Sequence, residues 1–154
     1  MKIILILVGL LLVIYFVDKM ICFLYCTAKK RQIQKDNKKS SEKRTADIAS
    51  NSGGKWLIKQ LLYGWIMYSI ERLGRSPFQM YRINVLRYVY RMDIGKNVVI
   101  YHGFHIRAPW NIKIGKGTVV GDGVSLDGRN GLEIGENVNI STDVYIYTEQ
   151  HDVN

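Results

Sequence analysis

Three consecutive blocks of this chain, 92–111, 112–131 and 132–151, repeat one pattern at a period of 20 residues. Aligned by that period, Ile94, Ile114 and Ile134 share a column, each followed by glycine. Ile100, Val120 and Ile140 share a second column, and Ile106, Leu126 and Ile146 a third, six residues apart within each block. Branched aliphatics at that spacing specify short strands that turn a corner after each inward side chain. The pattern predicts a parallel β-helix of about three coils, each stacked on the one before. Three columns in step weigh against the alternative, an antiparallel β domain with regularly spaced turns.

Asn97, Gly117 and Asn137 form a further column, and asparagine and glycine are the residues that accept φ > 0 at least cost, so a tight corner is expected there. Three faces of six residues account for about 18 residues of each period, and a surplus of about two must be placed at a corner. In the second block it is expected within 127–131, a polar, glycine-rich stretch predicted to protrude as a small loop.

The 154 residues carry a net charge of +9, unevenly distributed. Residues 1–53 contribute +6, residues 54–92 another +6, and residues 93–154 contribute −3. The repeat is therefore mildly acidic, which argues against nucleic acid as its partner. The basic surplus follows an apolar run of 15 residues, Ile3 to Val17, which resumes from Met20 to Cys26 after Asp18 and Lys19. With those two charges near an interface or snorkelling, Ile3 to Leu24 is long enough to cross a bilayer, and residues 1–28 are read as a transmembrane anchor. A cleaved signal peptide is the rival reading, with Cys26, Thr27 and Ala28 as small residues at its end. Eight Lys and Arg between Lys29 and Arg44 favour the anchor. They place its carboxy-terminal side in the cytoplasm, at an inner membrane, or against anionic headgroups. Cys22 and Cys26 are four residues apart and are read as small apolar residues in lipid, not as a disulfide or a lipidation site. With no other cysteine, a cysteine-based metal site is unavailable to the remainder of the chain.

Residues 29–54 are polar and basic, and from Gln32 onward are expected to form a flexible tether. Residues 55–91 are expected to be helical. Trp56, Leu57, Leu61, Trp65, Tyr68 and Ile70 give a broad apolar face ending near Leu73 and Gly74. A second amphipathic helix is expected to start at Ser76 and Pro77, as N-cap and first-turn proline. Arg82, Arg87 and Arg91 mark its basic side. That helix is expected to cap the open first coil, to lie among headgroups, or both.

The chain has no phosphate-cradling glycine loop, no pair of metal-ligand clusters and no serine elbow, so its chemistry must come from residues 92–154. His102 and His105 occupy mid-block columns. His151 occupies the corner column of Asn111 and Gly131, too far from the other two for a three-histidine metal site, and no metal is expected.

The stretch Leu126-Asp127-Gly128-Arg129-Asn130-Gly131-Leu132-Glu133-Ile134-Gly135, with Tyr147-Thr148-Glu149-Gln150-His151-Asp152 after it, resembles the hexapeptide-repeat acyltransferases. Within them it is most similar to the O-acetyltransferases of capsule, exopolysaccharide and lipopolysaccharide assembly, relatives of the maltose and galactoside acetyltransferases. The resemblance covers about residues 74–154. It implies an all-β domain, a left-handed parallel β-helix, assembled as a homotrimer with its sites between subunits and acetyl-CoA as acyl donor. It maps the family's histidine onto His151, as general base on a hydroxyl of a sugar or lipid-linked glycan acceptor. Asp127, Arg129 and Gln150 are the candidates for acceptor contacts, although Asp127 and Arg129 equally suit a turn held by its own side chains. Gly121 stands where some relatives place an acceptor-binding asparagine. Relatives also continue past this histidine into further coils that wall the acyl-CoA groove. The domain at 92–154 is therefore expected to be incomplete, and a non-catalytic remnant or assembly module docking to full-length relatives is the alternative to an enzyme.

Overall fold

The computed structural model describes residues 1–39 and 54–149. Helix α1 spans Lys2–Lys39 and α2 spans Gly54–Gly74. A short α3, Gln79–Asn84, runs into one π-helical turn, Val85–Val89. Among the described residues nine strands follow: β1 (Asp93–Ile94), β2 (Val99–Ile100), β3 (His105–Arg107), β4 (Ile112–Ile114), β5 (Val119–Val120), β6 (Ser125–Asp127), β7 (Leu132–Ile134), β8 (Asn139–Ile140) and β9 (Tyr145–Ile146). A 3₁₀ turn, Pro109–Asn111, separates β3 from β4.

The strands form three parallel sheets, β1-β4-β7, β2-β5-β8 and β3-β6-β9. Pairs such as Ile94↔Ile114, Val120↔Ile140 and Ile106↔Leu126 are each offset by the sequence period. This arrangement fits a left-handed β-helix. The first two aliphatic columns point inward with every member buried, and in the third Ile106 and Leu126 are buried while Ile146 is half-buried. Burying such columns at about 25 cal/mol per Å² of apolar surface drives the coiling, because each short strand shields little area alone. The expected corner is present: Asn97, Gly117 and Asn137 all have positive φ, and the Gly117 and Asn137 amides donate to the carbonyls of Lys96 and Lys116 one period earlier.

The surplus at 127–131 protrudes less than expected. Asp127 and Gly128 are buried, Gly131 is half-buried, and Arg129 and Asn130 are exposed. A Cβ on Gly128 would lie 2.5 Å from Ile112 and 2.7 Å from the Ala108 carbonyl, so only glycine lets this turn pack against the preceding one.

The second amphipathic helix begins at Gln79, three residues later than Ser76. The amide of Ser76 closes a turn onto the Leu73 carbonyl, and Phe78 takes the N-cap position in an extended conformation. Its basic side reaches protein carbonyls. Arg82 is buried and donates from Nη2 to the Ile100 carbonyl at 2.9 Å, and from Nη1 to the Ser76 carbonyl. Arg87 reaches the carbonyls of Ile94 and Gly95 at 3.1 Å each. The carbonyls of Ile94 and Ile100 belong to the first strands of their sheets, and the two arginines supply them with donors that a preceding coil would otherwise provide.

Helix α1 also departs from expectation. It continues unbroken to Lys39, so the first part of the expected tether is helical; residues 40–53 lie outside the described residues. Asp18 and Lys19 sit within a protein cluster: Asp18 accepts from Trp65 Nε1 at 2.9 Å and from Ser69 Oγ at 3.1 Å, and pairs with Lys19 at 3.0 Å. Tyr90 OH donates to the same Ser69 hydroxyl at 2.8 Å, which ties α1, α2 and the π-helical turn together. Cys22 and Cys26 are fully buried within this packing, not facing lipid. Ahead of Asp18 every residue of α1 is exposed, including each aliphatic side chain from Ile3 to Val17.

Candidate functional site

Between α1, α2 and the face of sheet β3-β6-β9 lies a groove of about 880 Å³. Successive strands of a parallel β-helix bring residues one period apart side by side, so His105, Ser125 and Tyr145 form one outward row on that sheet. All three line the groove, with Arg107 and Tyr147 beside them. Helix α1 contributes Tyr25, Lys29 and Asp36, and α2 contributes Tyr63, Met67 and Glu71. Trp110, from the 3₁₀ turn, packs edge-on to Tyr25 with ring centroids 5.6 Å apart.

Arg129 and Glu149 meet at one end of this groove and form an ion pair. Arg129 is held from behind by Asp127, which has no exposed surface. Both carboxylate oxygens of Asp127 accept from the guanidinium, Nη2 to Oδ2 being 2.7 Å, and Oδ1 also accepts the Arg129 amide at 3.0 Å. Those hydrogen bonds from Arg129 hold the Asp127 carboxyl below its ordinary pKa, outweighing the opposing effect of burial. The Asp127 carbonyl accepts Thr148 Oγ1 at 2.8 Å, and Asn130 Nδ2 donates to the Thr148 carbonyl at 2.9 Å. The segment ending at Glu149 is thereby stitched onto the 127–131 turn. Burial, as the main cause, raises the Tyr63 hydroxyl pKa, partly offset by Arg107 and Arg129.

Of the residues singled out from the sequence, Arg129 faces the groove and Asp127 lies behind it. Asp127 has no exposed surface, and its carboxylate is taken up by the Arg129 side chain and amide. His151 and Gln150 lie outside the described residues. His102 Nδ1 contacts Asp122 Oδ1 at an exposed corner, and neither residue lines the groove. Among the described residues no group of three or more His, Cys, Asp and Glu is arranged to hold a metal ion. Sequence reasoning did not single out Ser125, Tyr145 and Tyr147, and weighed His105 only as a metal ligand. Their signal was the same 20-residue period, read on the outward positions of the third strand and not on the inward ones.

The architecture is thus a parallel β-helix of six-residue faces, with two helices enclosing a mixed aromatic and charged groove on one sheet. Over 98 residues, 63% of its length, the chain is 32% identical to the protein named "Putative colanic acid biosynthesis acetyltransferase WcaF" of Escherichia coli (strain K12). The same figures hold for the protein of that name in Shigella flexneri. The match takes in 48% of each relative, so the chain spans about half the length of the curated relatives it matches. No family model matches, and no solved structure gives a significant match.

Proposed function

We propose that the chain is an O-acyltransferase that moves an acetyl group from acetyl-CoA to a sugar hydroxyl of a cell-surface polysaccharide precursor. The observation that carries this reading is the similarity to two proteins named as acetyltransferases of colanic acid biosynthesis. The parallel sheets support it, because they fit the fold that the hexapeptide resemblance implies.

In this reading His151 is the general base. Its imidazole takes the proton from the sugar hydroxyl as the oxygen attacks the thioester carbonyl. The new C–O bond forms, the C–S bond breaks, and the proton passes on to the departing thiolate. An imidazole with an ordinary pKa near 6.5 suits that exchange at neutral pH, and a positioned base contributes about 10² to 10⁴ in rate. Arg129 and Gln150 contact the acceptor, and Asp127 orients Arg129. The β-helix, of about three coils in this chain, assembles as a homotrimer. Residues 3–17 enter the inner membrane, and the basic residues that follow hold the repeat domain on the cytoplasmic side. The exposure of every apolar side chain in that run supports a lipid environment, since a helix apolar on all sides needs one.

Thiol release from acetyl-CoA by the purified full chain with a lipid-linked sugar, compared with His151→Ala, tests this reading. Release by the native chain well above the variant supports it. Equal background release from both would point to the second reading, a non-catalytic assembly module.

A further inference from the structure

We infer that the groove between α1, α2 and sheet β3-β6-β9 binds a saccharide chain that is itself anchored in the bilayer, and that α1 sets how far from the membrane that chain is read. This deepens the acetyltransferase proposal by locating the acceptor's binding surface, and it rests on that proposal for the membrane placement of residues 3–17 and for the chemistry that follows binding.

The first argument is the lining. Tyr25, Tyr63 and Tyr147 supply aromatic rings of the kind that pack against the C–H faces of pyranose rings, and each keeps a hydroxyl for hydrogen bonding. Ser125, His105 and Arg107 supply further hydrogen-bonding groups along the same sheet. A concave site that combines aromatic and apolar side chains with placed polar groups suits a small polar ligand.

Charge is the second argument. Lys29, Arg107 and Arg129 are balanced by Asp36, Glu71 and Glu149, and Arg129 is already engaged by Asp127 and Glu149. A polyanion such as the phosphate-bearing end of coenzyme A would meet as many like charges as opposite ones, so this groove is unsuited to the acyl donor. A neutral or weakly charged sugar chain meets no such penalty.

The third argument is a distance. Helix α1 is continuous from its exposed apolar run into the groove wall, with no break at Asp18. At 1.5 Å per residue, Tyr25 stands about 12 Å beyond Val17 along the helix, and Asp36 about 28 Å beyond it. With the run up to Val17 in lipid, the groove lies at most those distances from the hydrocarbon. A saccharide attached to a membrane lipid reaches it with its first few units, and the shared bilayer raises its effective concentration over that of a free sugar.

Binding is measurable without any acyl donor. The full chain in nanodiscs is titrated with a dye-tagged, polyprenyl-diphosphate-linked tetrasaccharide of neutral hexoses, and separately with the same tetrasaccharide free in solution. The lipid-linked form is expected to bind more tightly than the free one by about tenfold or more. Tyr63→Ala and Tyr147→Ala are each expected to weaken it by about tenfold. Tyr147 is 60% exposed, so its truncation leaves folding intact even where that of Tyr63 does not. Tyr101→Ala, exposed and outside the groove, is expected to change nothing. Equal binding of the two sugars, native binding by Tyr147→Ala, or no binding at all would overturn the inference. Loss of thiol release with groove binding intact would sink the transferase reading alone.

Discussion

Asp127 and Arg129, two residues apart in one turn, share a forked ion pair in which the carboxylate is wholly buried and the guanidinium looks into the groove. The pair is a pH sensor for stability with a definite sign. Arg129 lowers the folded-state pKa of Asp127 below its ordinary value of 3.8. The contribution is therefore fully present above that ordinary value and is lost as pH falls through the lowered one. Thermal unfolding of the native chain and Asp127→Asn, followed from about pH 7 to about pH 2, is expected to show the native chain melting higher at neutral pH. The two melting temperatures should converge in acid. A constant gap across that range would contradict the pairing.

If Arg129 touches the acceptor, removing it should act on one substrate and not the other. Arg129→Ala is expected to lower kcat/KM for the sugar by about tenfold to a hundredfold, the range for a hydrogen bond to a charged group. The KM for acetyl-CoA should stay at its native value. Steady-state kinetics with each substrate varied in turn checks this, and a change confined to acetyl-CoA would put Arg129 on the donor side.

Coil stacking makes a sharp distinction between two glycines. A Cβ on Gly115 would sit 2.5 Å from the backbone of Gly135 and 2.6 Å from the amide of Glu136, whereas Gly64 in α2 has nothing within 4 Å. Gly115→Ala is expected to cost about 1–3 kcal/mol through overpacking. Gly64→Ala should be neutral or stabilise by about 0.5–1 kcal/mol through helix entropy. Denaturant midpoints with unchanged m values measure both.

The arginine cap is testable in the same way. Arg82→Met keeps most of the side-chain volume but removes the donors to Ile100 and Ser76. Leaving one buried carbonyl without a partner costs about 1–3 kcal/mol. Circular dichroism should show the β-helix retained and the unfolding midpoint lowered. An unchanged midpoint would mean that the first strands need no such donors.

The inward half of the β-helix was legible because coil stacking imposes a strict period: residues 20 apart occupy the same environment, so Ile94, Ile114 and Ile134 declare one column. The same logic identified the corner at Asn97, but not the one at Gly103, Gly123 and Asp143. All three have positive φ there, and aspartate in the third block obscured the glycine signal. The helices were harder to read because composition does not say what covers an apolar face. Cys22 and Cys26 read as lipid-facing, whereas they are buried beside the cluster of Asp18, Trp65, Ser69 and Tyr90. Likewise Arg82 and Arg87 read as a basic face, while their actual partners are carbonyls of strands that come later in the chain. Of the candidate site, Arg129 was recognised from a motif, but the groove it faces was not. Its walls come from elements far apart in sequence, and only the fold brings Tyr25, Tyr63 and Tyr147 together.

The account turns most directly on His151, and the measurement that tests it is acetyl ester formation on a lipid-linked saccharide by the full chain, followed by mass spectrometry beside His151→Ala. The expected result is an acetylated product from the native chain, with the variant slower by about 10² to 10⁴. Product formation at equal rates by both proteins would contradict the role given to that histidine.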